Sequence, residues 1–212
     1  MPRPLVIQQS EFPYNISARC INREWFSIPM EDVWGIFSEE LTRTCQKHNL
    51  QVHSFVLMSN HFHLIASTPE ANISQCMFQF VGQSSRRLAK KGNRINETFA
   101  GRHYKCILQH PNYFLNAYKY NYRNPVNAGI CESVESYHYS TLPAVMKFAQ
   151  PTIPLLEDIT FNSDPEGTLK WLNEAPAPDK LEAVRCGLRH QYFKSKKDRN
   201  LNKPILVDHE IL

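Results

Sequence analysis

Apolar and polar positions change rhythm repeatedly along the chain, and each rhythm predicts an element. In Phe12–Cys20, Tyr14, Ile16 and Ala18 alternate with polar residues, the period-two signature of a strand with one buried face. Residues 30–49 switch to four-residue spacing, Val33, Phe37, Leu41 and Cys45, with Glu31 and Asp32 in the first turn, which predicts a helix. Gln51–Met58 and His61–Ser67 read as two strands joined by a tight Ser59-Asn60 turn. A second helix is predicted from an N-cap at Asn72, with Gln75 three residues on, through Ile73, Met77, Phe80, Val81 and Leu88 to a glycine stop at Gly92. Arg102–Gln109 is a fourth strand, and Pro111 opens a helix at the position where proline is tolerated. That helix is expected to end at about Asn124, because Pro125 pushes the preceding residue out of the helical region.

The order β-α-β-β-α-β plus a helix is the connectivity of an α+β, ferredoxin-like antiparallel sheet, with its first and third strands central. One sheet face should carry the two helices and the other should face the substrate or the added helix. The expected division is 1–145 for this domain and 146–212 for an extension, mainly helical or irregular. Prolines at 143, 151, 154, 165, 176 and 178 break the extension into pieces, with 166–174 and 179–197 the helical candidates.

Charge changes this picture more than bulk composition does. The net +4 conceals residues 86–123, where nine Lys/Arg face Glu97 alone, and residues 185–203, where seven basic residues face Asp198. Residues 151–184 are acidic. Such clustering suits a polyanionic partner, although solvated helix faces give the same pattern. No apolar run approaches the ~20 residues of a membrane span and the start has no signal-peptide pattern, so a cytoplasmic protein is expected. Six scattered cysteines without a Cys-x-x-Cys pair predict reduced thiols.

The chemistry centres on His61-Phe62-His63. On a strand the two imidazoles share one face while Phe62 and Leu64 enter a core. Two imidazoles are part of a metal site, or else core histidines, or half of a structural zinc site that lacks two further ligands nearby. The last helix bears on this choice. Phe114, Leu115, Tyr118 and Tyr122 form its apolar stripe, whereas Tyr120 lies roughly 200° from Tyr118 and off that stripe. Tyr120 should share its face with Asn116, Arg123 and Asn124, the last one helical turn further on.

Three segments in this order, Met58-Ser59-Asn60-His61-Phe62-His63-Leu64, Phe99-Ala100-Gly101-Arg102-His103-Tyr104-Lys105 and Tyr120-Asn121-Tyr122-Arg123-Asn124-Pro125-Val126-Asn127-Ala128-Gly129, resemble the REP-associated tyrosine transposases. These belong to the single-tyrosine HUH (His-hydrophobe-His) transposases of the insertion-sequence type. The resemblance covers roughly residues 1–145, including Pro2-Arg3-Pro4 and Arg19 with Asn22-Arg23-Glu24. It departs at Asn15, where the family often has His, and at Asn121, where Ile is usual. It implies that His61, His63 and Asn124 hold a divalent metal, Mg²⁺ or Mn²⁺, and that Tyr120 is the nucleophile. The implied activity is single-stranded DNA cleavage and strand transfer through a 5′-phosphotyrosine, on hairpin-forming repeat DNA, by a monomer or homodimer.

Arg86, Arg87, Lys90 and Lys91 are candidates to grip a hairpin stem, with Arg102, Lys105, Lys119 and Arg123 as further DNA contacts. Tyr104, His103 and Tyr113 are candidates to stack on unpaired bases. Ligand histidines must be neutral, so their reference pKa of ~6.5 predicts activity declining below about pH 6. The competing readings are a non-catalytic single-stranded nucleic-acid-binding regulator on the same sheet and a metal-dependent phosphohydrolase using activated water. The basic segment from Arg185 to Lys203 is either a second DNA contact, slightly favoured, or a tail folded over the site.

Overall fold

The sequence predicts four strands, and the computed structural model pairs them into one antiparallel sheet. It describes residues 5–95, 97–99, 101, 103–198, 202–207 and 210–212. Strands β1 (Tyr14–Arg19), β2 (Gln51–Leu57), β3 (His61–Ser67) and β4 (Tyr104–Ile107) lie in the order β2-β3-β1-β4. The first and third strands are therefore central, as expected. Helices α1 (Met30–His48) and α2 (Ile73–Lys91) cover one face. Helix α3 (Pro111–Asn127) covers the other.

Alternation assigns every strand residue to a face. Tyr14, Ile16 and Ala18 of β1 and Phe62, Leu64 and Ala66 of β3 enter the core beneath α1 and α2. There Phe37 sits 5.6 Å from both Phe62 and Phe80 in edge-on contacts. Each fully buried ring of this kind contributes about 1.5–3 kcal/mol. A bulge in β2 between Val52 and Ser54 resets the alternation, so that Val52, Phe55 and Leu57 all reach that core.

Two expected helix ends have a different physical cause. Asn72 precedes α2, but its side chain makes no capping bond; its amide donates to the His48 carbonyl instead. Gly92 follows α2 with an ordinary φ of −85°, so it is not there for a left-handed turn. A Cβ at that position would run into the Ser27 hydroxyl, and the requirement is room.

The helix α3 also runs past its predicted stop. Pro125 lies inside it, buried, and the next turn closes through Ala128 N–H to the Asn124 carbonyl at 3.0 Å and Ile130 N–H to the Pro125 carbonyl at 3.0 Å. Proline removes only the bond to the Asn121 carbonyl, and packing of its ring against neighbours offsets that loss.

After two short helices, α4 (Leu142–Val145) and α5 (Ile159–Ser163), the extension forms α6 (Pro165–Asn173) and α7 (Pro178–Gly187). Asp158 and Asp164 cap α5 and α6 by accepting from Phe161 N–H and Gly167 N–H. Helix α7 stops at Gly187, well short of the expected 197. Beyond it the chain clamps onto the edge of the sheet, with Ile107 N–H donating to the Gln191 carbonyl and Phe193 N–H to the Ile107 carbonyl. Phe161, Leu172, Ala183, Val184 and Leu188 bury themselves with Ala117, Tyr118 and Tyr122 of α3 in one apolar cluster. No helix among the described residues is long and apolar enough to cross a membrane.

Candidate active site

The sheet face beneath α3 is polar where the strands' alternation brings side chains to it. Antiparallel register sets Arg19 opposite His61, Ser17 opposite His63, Ser17 opposite Tyr104 and Asn15 opposite Cys106. Directly opposed residues project to the same side, so Arg19, Ser17, His61, His63 and Tyr104 share one surface. The two imidazoles stand 5.1 Å apart, ring edge to ring face, with residue exposures of 9% and 7%.

Their ring nitrogens have different partners. Asn60 donates its amide to the Arg23 carbonyl at 2.8 Å, which fixes its oxygen toward His61 Nδ1 at 2.7 Å. That oxygen can only accept, so His61 carries its proton on Nδ1 and presents a lone pair on Nε2. The Arg23 carbonyl belongs to a strained turn in which Asn22 and Arg23 both have positive φ, 55° and 59°. Asn60 is thus a positioning residue that the residue pattern alone does not single out, although it heads the Asn-His-Phe-His run. His63 is the opposite case. Both of its ring nitrogens are buried with no hydrogen-bond partner among the described residues. Buried polar atoms are rarely left so.

Tyr120 comes from α3 to meet this pair. Its ring packs edge-on against His63 with centroids 5.7 Å apart. Tyr118 and Tyr122 are buried on the adjacent stripe, their hydroxyls bonded to Asp158 at 2.5 Å and Thr141 at 2.9 Å. Burial raises the Tyr120 pKa above the ordinary phenol value, opposed by Arg185, by a hydrogen bond from Asn124, and by Arg189 and Arg19. The Asn124 amide also donates back to the Tyr120 carbonyl at 3.1 Å, holding the two residues together. Burial lowers His61 to about 4, with Arg19 adding to the effect, and lowers His63 well below its usual value. Both imidazoles therefore stay neutral well under pH 6, which corrects the expectation built on reference values.

Two neutral imidazoles, one with both nitrogens unpartnered, and an amide beside the phenol form a donor set that fits a divalent cation. No cluster of three His, Cys, Asp or Glu stands among the described residues, so any cation here would rely on the Asn124 amide and on substrate oxygens.

The two unusual asparagines prove to be partners. Asn121 donates to the Asn15 side-chain oxygen at 2.8 Å, both buried. This bond ties the central strand to the residue beside Tyr120.

Several expected DNA contacts are engaged elsewhere. Lys119 is 1% exposed; its ammonium donates to the Leu212 carbonyl at 3.0 Å and lies 5.1 Å from the Trp171 ring centroid. Burial lowers its pKa to about 8. Arg123, 5% exposed, donates to the Leu172 and Asn173 carbonyls at the C-terminal end of α6, where a cation is favourable. Asn116 brackets the tail, donating to the Glu210 carbonyl and accepting from Leu212 N–H. Residues 116, 119 and 123 thus form a second helix face, covered by the extension rather than by solvent.

On the opposite sheet face, Arg87 pairs with Glu39 and Glu40 and Lys91 with Asp32. Arg86 and Lys90 are exposed there, across the sheet from Tyr120. Lys105 lies opposite Ile16, so it also points away from the histidines. Arg102 lies outside the described residues. Tyr104 exposes 59% of its surface on the histidine face, while the Tyr113 ring packs at a tilt against Phe193 with centroids 4.6 Å apart.

A solved structure shares this fold. Among solved structures the chain is similar to a REP-associated tyrosine transposase bound to a REP hairpin, at 14% identity and TM-score 0.59 over 74% of this chain and 93% of that one. It also matches a candidate transposase from Deinococcus radiodurans R1 at 15% identity and TM-score 0.39, over 61% of this chain and 94% of that one. No curated protein matches it. The family model described as "Transposase IS200 like" matches residues 14–120, from the start of β1 to Tyr120 itself and just over half of the 212 residues. The chain belongs to the IS200-like transposase family.

Proposed function

We propose that this transposase cuts and rejoins single-stranded DNA through Tyr120, on DNA that folds into a hairpin, with Mg²⁺ or Mn²⁺ held by His61, His63 and Asn124. The contact between the Tyr120 ring and His63, whose ring nitrogens lack partners, carries the reading. The REP-associated relative was solved with a REP hairpin, which supports a hairpin substrate here.

The Tyr120 oxygen attacks the scissile phosphorus, forming an O–P bond to tyrosine as the bond to the 3′-oxygen breaks; the departing oxygen takes a proton and becomes a 3′-hydroxyl. The phosphotyrosine keeps a phosphodiester-type bond, so a second 3′-hydroxyl can displace the tyrosine without a nucleotide cofactor. A bound divalent ion would supply charge neutralisation at a non-bridging phosphate oxygen. Asn124 is held beside the phenol by its bond to the Tyr120 carbonyl, and the Asn60 bridge holds His61 in the tautomer that offers Nε2. Tyr104 offers an exposed ring on the same face for an unpaired base. Arg86 and Lys90 face solvent behind the sheet, where they can meet a duplex stem.

Tyr120→Phe should abolish the covalent adduct with a labelled hairpin oligonucleotide, seen on a denaturing gel with Mn²⁺, while binding persists. Adduct surviving in that variant would eliminate Tyr120 as nucleophile. Hydrolysed DNA without adduct from the wild-type protein would favour an activated-water phosphohydrolase, and binding without cleavage a regulator.

A further inference from the structure

Three exposed arginines from distant parts of the chain lie on elements that border the Tyr120 site. Arg19 ends β1 in register with His61 and therefore projects on the histidine face; it is exposed, and no ion pair with it is present among the described residues. Arg185 lies on α7, whose Ala183 and Val184, with Leu188 just beyond it, are buried in one cluster with residues of α3. Its contact with Glu182 is 3.4 Å long between side chains about half exposed, a weak surface pair. Arg189 follows α7 and is exposed, just before the chain is bolted to β4 by the Gln191 and Phe193 backbone bonds. The turn after α7 packs closely there: a Cβ at Gly187 would press on the Phe193 ring and the Lys194 carbonyl.

We propose that Arg19, Arg185 and Arg189 form a guanidinium cradle for the sugar–phosphate backbone of a single strand crossing Tyr120, so that the extension completes the binding site rather than simply covering it. This rests on the assignment of Tyr120 as the reacting group. Exposed cations bordering one site favour an anionic strand that crosses it. The planar fork of arginine suits phosphate oxygens, which it can grip two at a time. Lys119 and Arg123, the expected contacts on α3, are spent on holding α6 and the tail in place, which leaves this role to the three arginines.

Binding of a fluorescent single-stranded oligonucleotide with a hairpin, followed by anisotropy across a salt series with full-length Tyr120→Phe protein, tests the cradle. In that background, Arg19→Gln and the double variant Arg185→Gln/Arg189→Gln should each weaken binding about tenfold or more. Each should also flatten the slope of log affinity against log salt by roughly 0.7 for every phosphate no longer neutralised. Arg19→Lys should restore the slope but not the full affinity. Lys47→Gln, which removes one charge as Arg19→Gln does, at the end of α1 beneath the sheet, should leave both unchanged. Melting temperatures within the wild-type range exclude misfolding. Unchanged slopes in the arginine variants, or an equal loss with Lys47→Gln, would overturn the cradle. The adduct assay on proteins that retain Tyr120 reads separately: its failure in the wild type removes the nucleophile assignment, whereas flat salt slopes remove the cradle alone.

Discussion

Acidification should unfold the protein through its buried imidazoles, and His61 gives the effect a size. Its pKa is about 4 in the fold, where burial penalises the charged ring, against ~6.5 in an unfolded chain. Between these values the unfolded state binds more protons than the folded one. Stability is therefore full above pH 6.5 and is lost as pH falls toward 4. Between pH 7 and pH 4.5 the linkage integral for this one group is about 2.5 kcal/mol. His53, also lowered to about 4 by burial, and His63 act in the same direction. The assay is urea unfolding followed by tryptophan fluorescence in chelated buffer at both pH values, for wild type and for His61→Gln, whose amide does not titrate. The wild type should lose about 2.5 kcal/mol more than the variant over that interval. Equal losses in the two proteins would mean that His61 is not held neutral by its surroundings, and the account of a neutral donor pair would go with it. The same reasoning moves the acid limit of activity: the rings do not protonate near pH 6, so the decline should track loss of the fold.

Other expectations follow from single interactions. Asn121→Ala leaves the Asn15 oxygen buried without its donor and should cost about 1–3 kcal/mol; a double-mutant cycle with Asn15→Ala should return a coupling energy of about 1 kcal/mol or more, and additivity would show that the bond contributes nothing. Arg87→Ala should cost stability, about 1–2 kcal/mol after allowing for its partial exposure, while leaving oligonucleotide affinity within about twofold. A large affinity loss without destabilisation would return Arg87 to the DNA-contacting set. Lys119→Met should loosen the tail from α3, read as faster amide exchange in residues 210–212.

The sheet and its histidine face are legible in the sequence because alternation is a strong local signal: once Phe62 and Leu64 are core, His61 and His63 have only one side left. Tyr120 is similarly accessible, since an angle around α3 follows from counting residues. What the sequence hides is tertiary. Lys119 and Arg123 look like solvated charges until a segment tens of residues later packs over them, and no local pattern announces that cover. Pro125 looks like a helix end because its restriction is local, whereas the packing that overrides it is not. Asn15 and Asn121 each look like an isolated departure from the family pattern; their partnership depends on a register between β1 and α3 that only the folded chain supplies. Arg19 lies within the stretch that resembles the family, but only pairing with β3 shows that it stands beside His61.

The tie between α3 and residues near 210 also has a consequence in time. Asn116 and Lys119 close their bonds with partners more than ninety positions downstream. During synthesis the sheet and the helix that carries Tyr120 emerge well before the segment that seals their outer flank. A nascent chain paused near residue 150 would carry Tyr120 on a half-clad helix, with two cations and an amide still open to water. Competence to handle DNA in the manner proposed would then arrive in one late step, as the final helices dock.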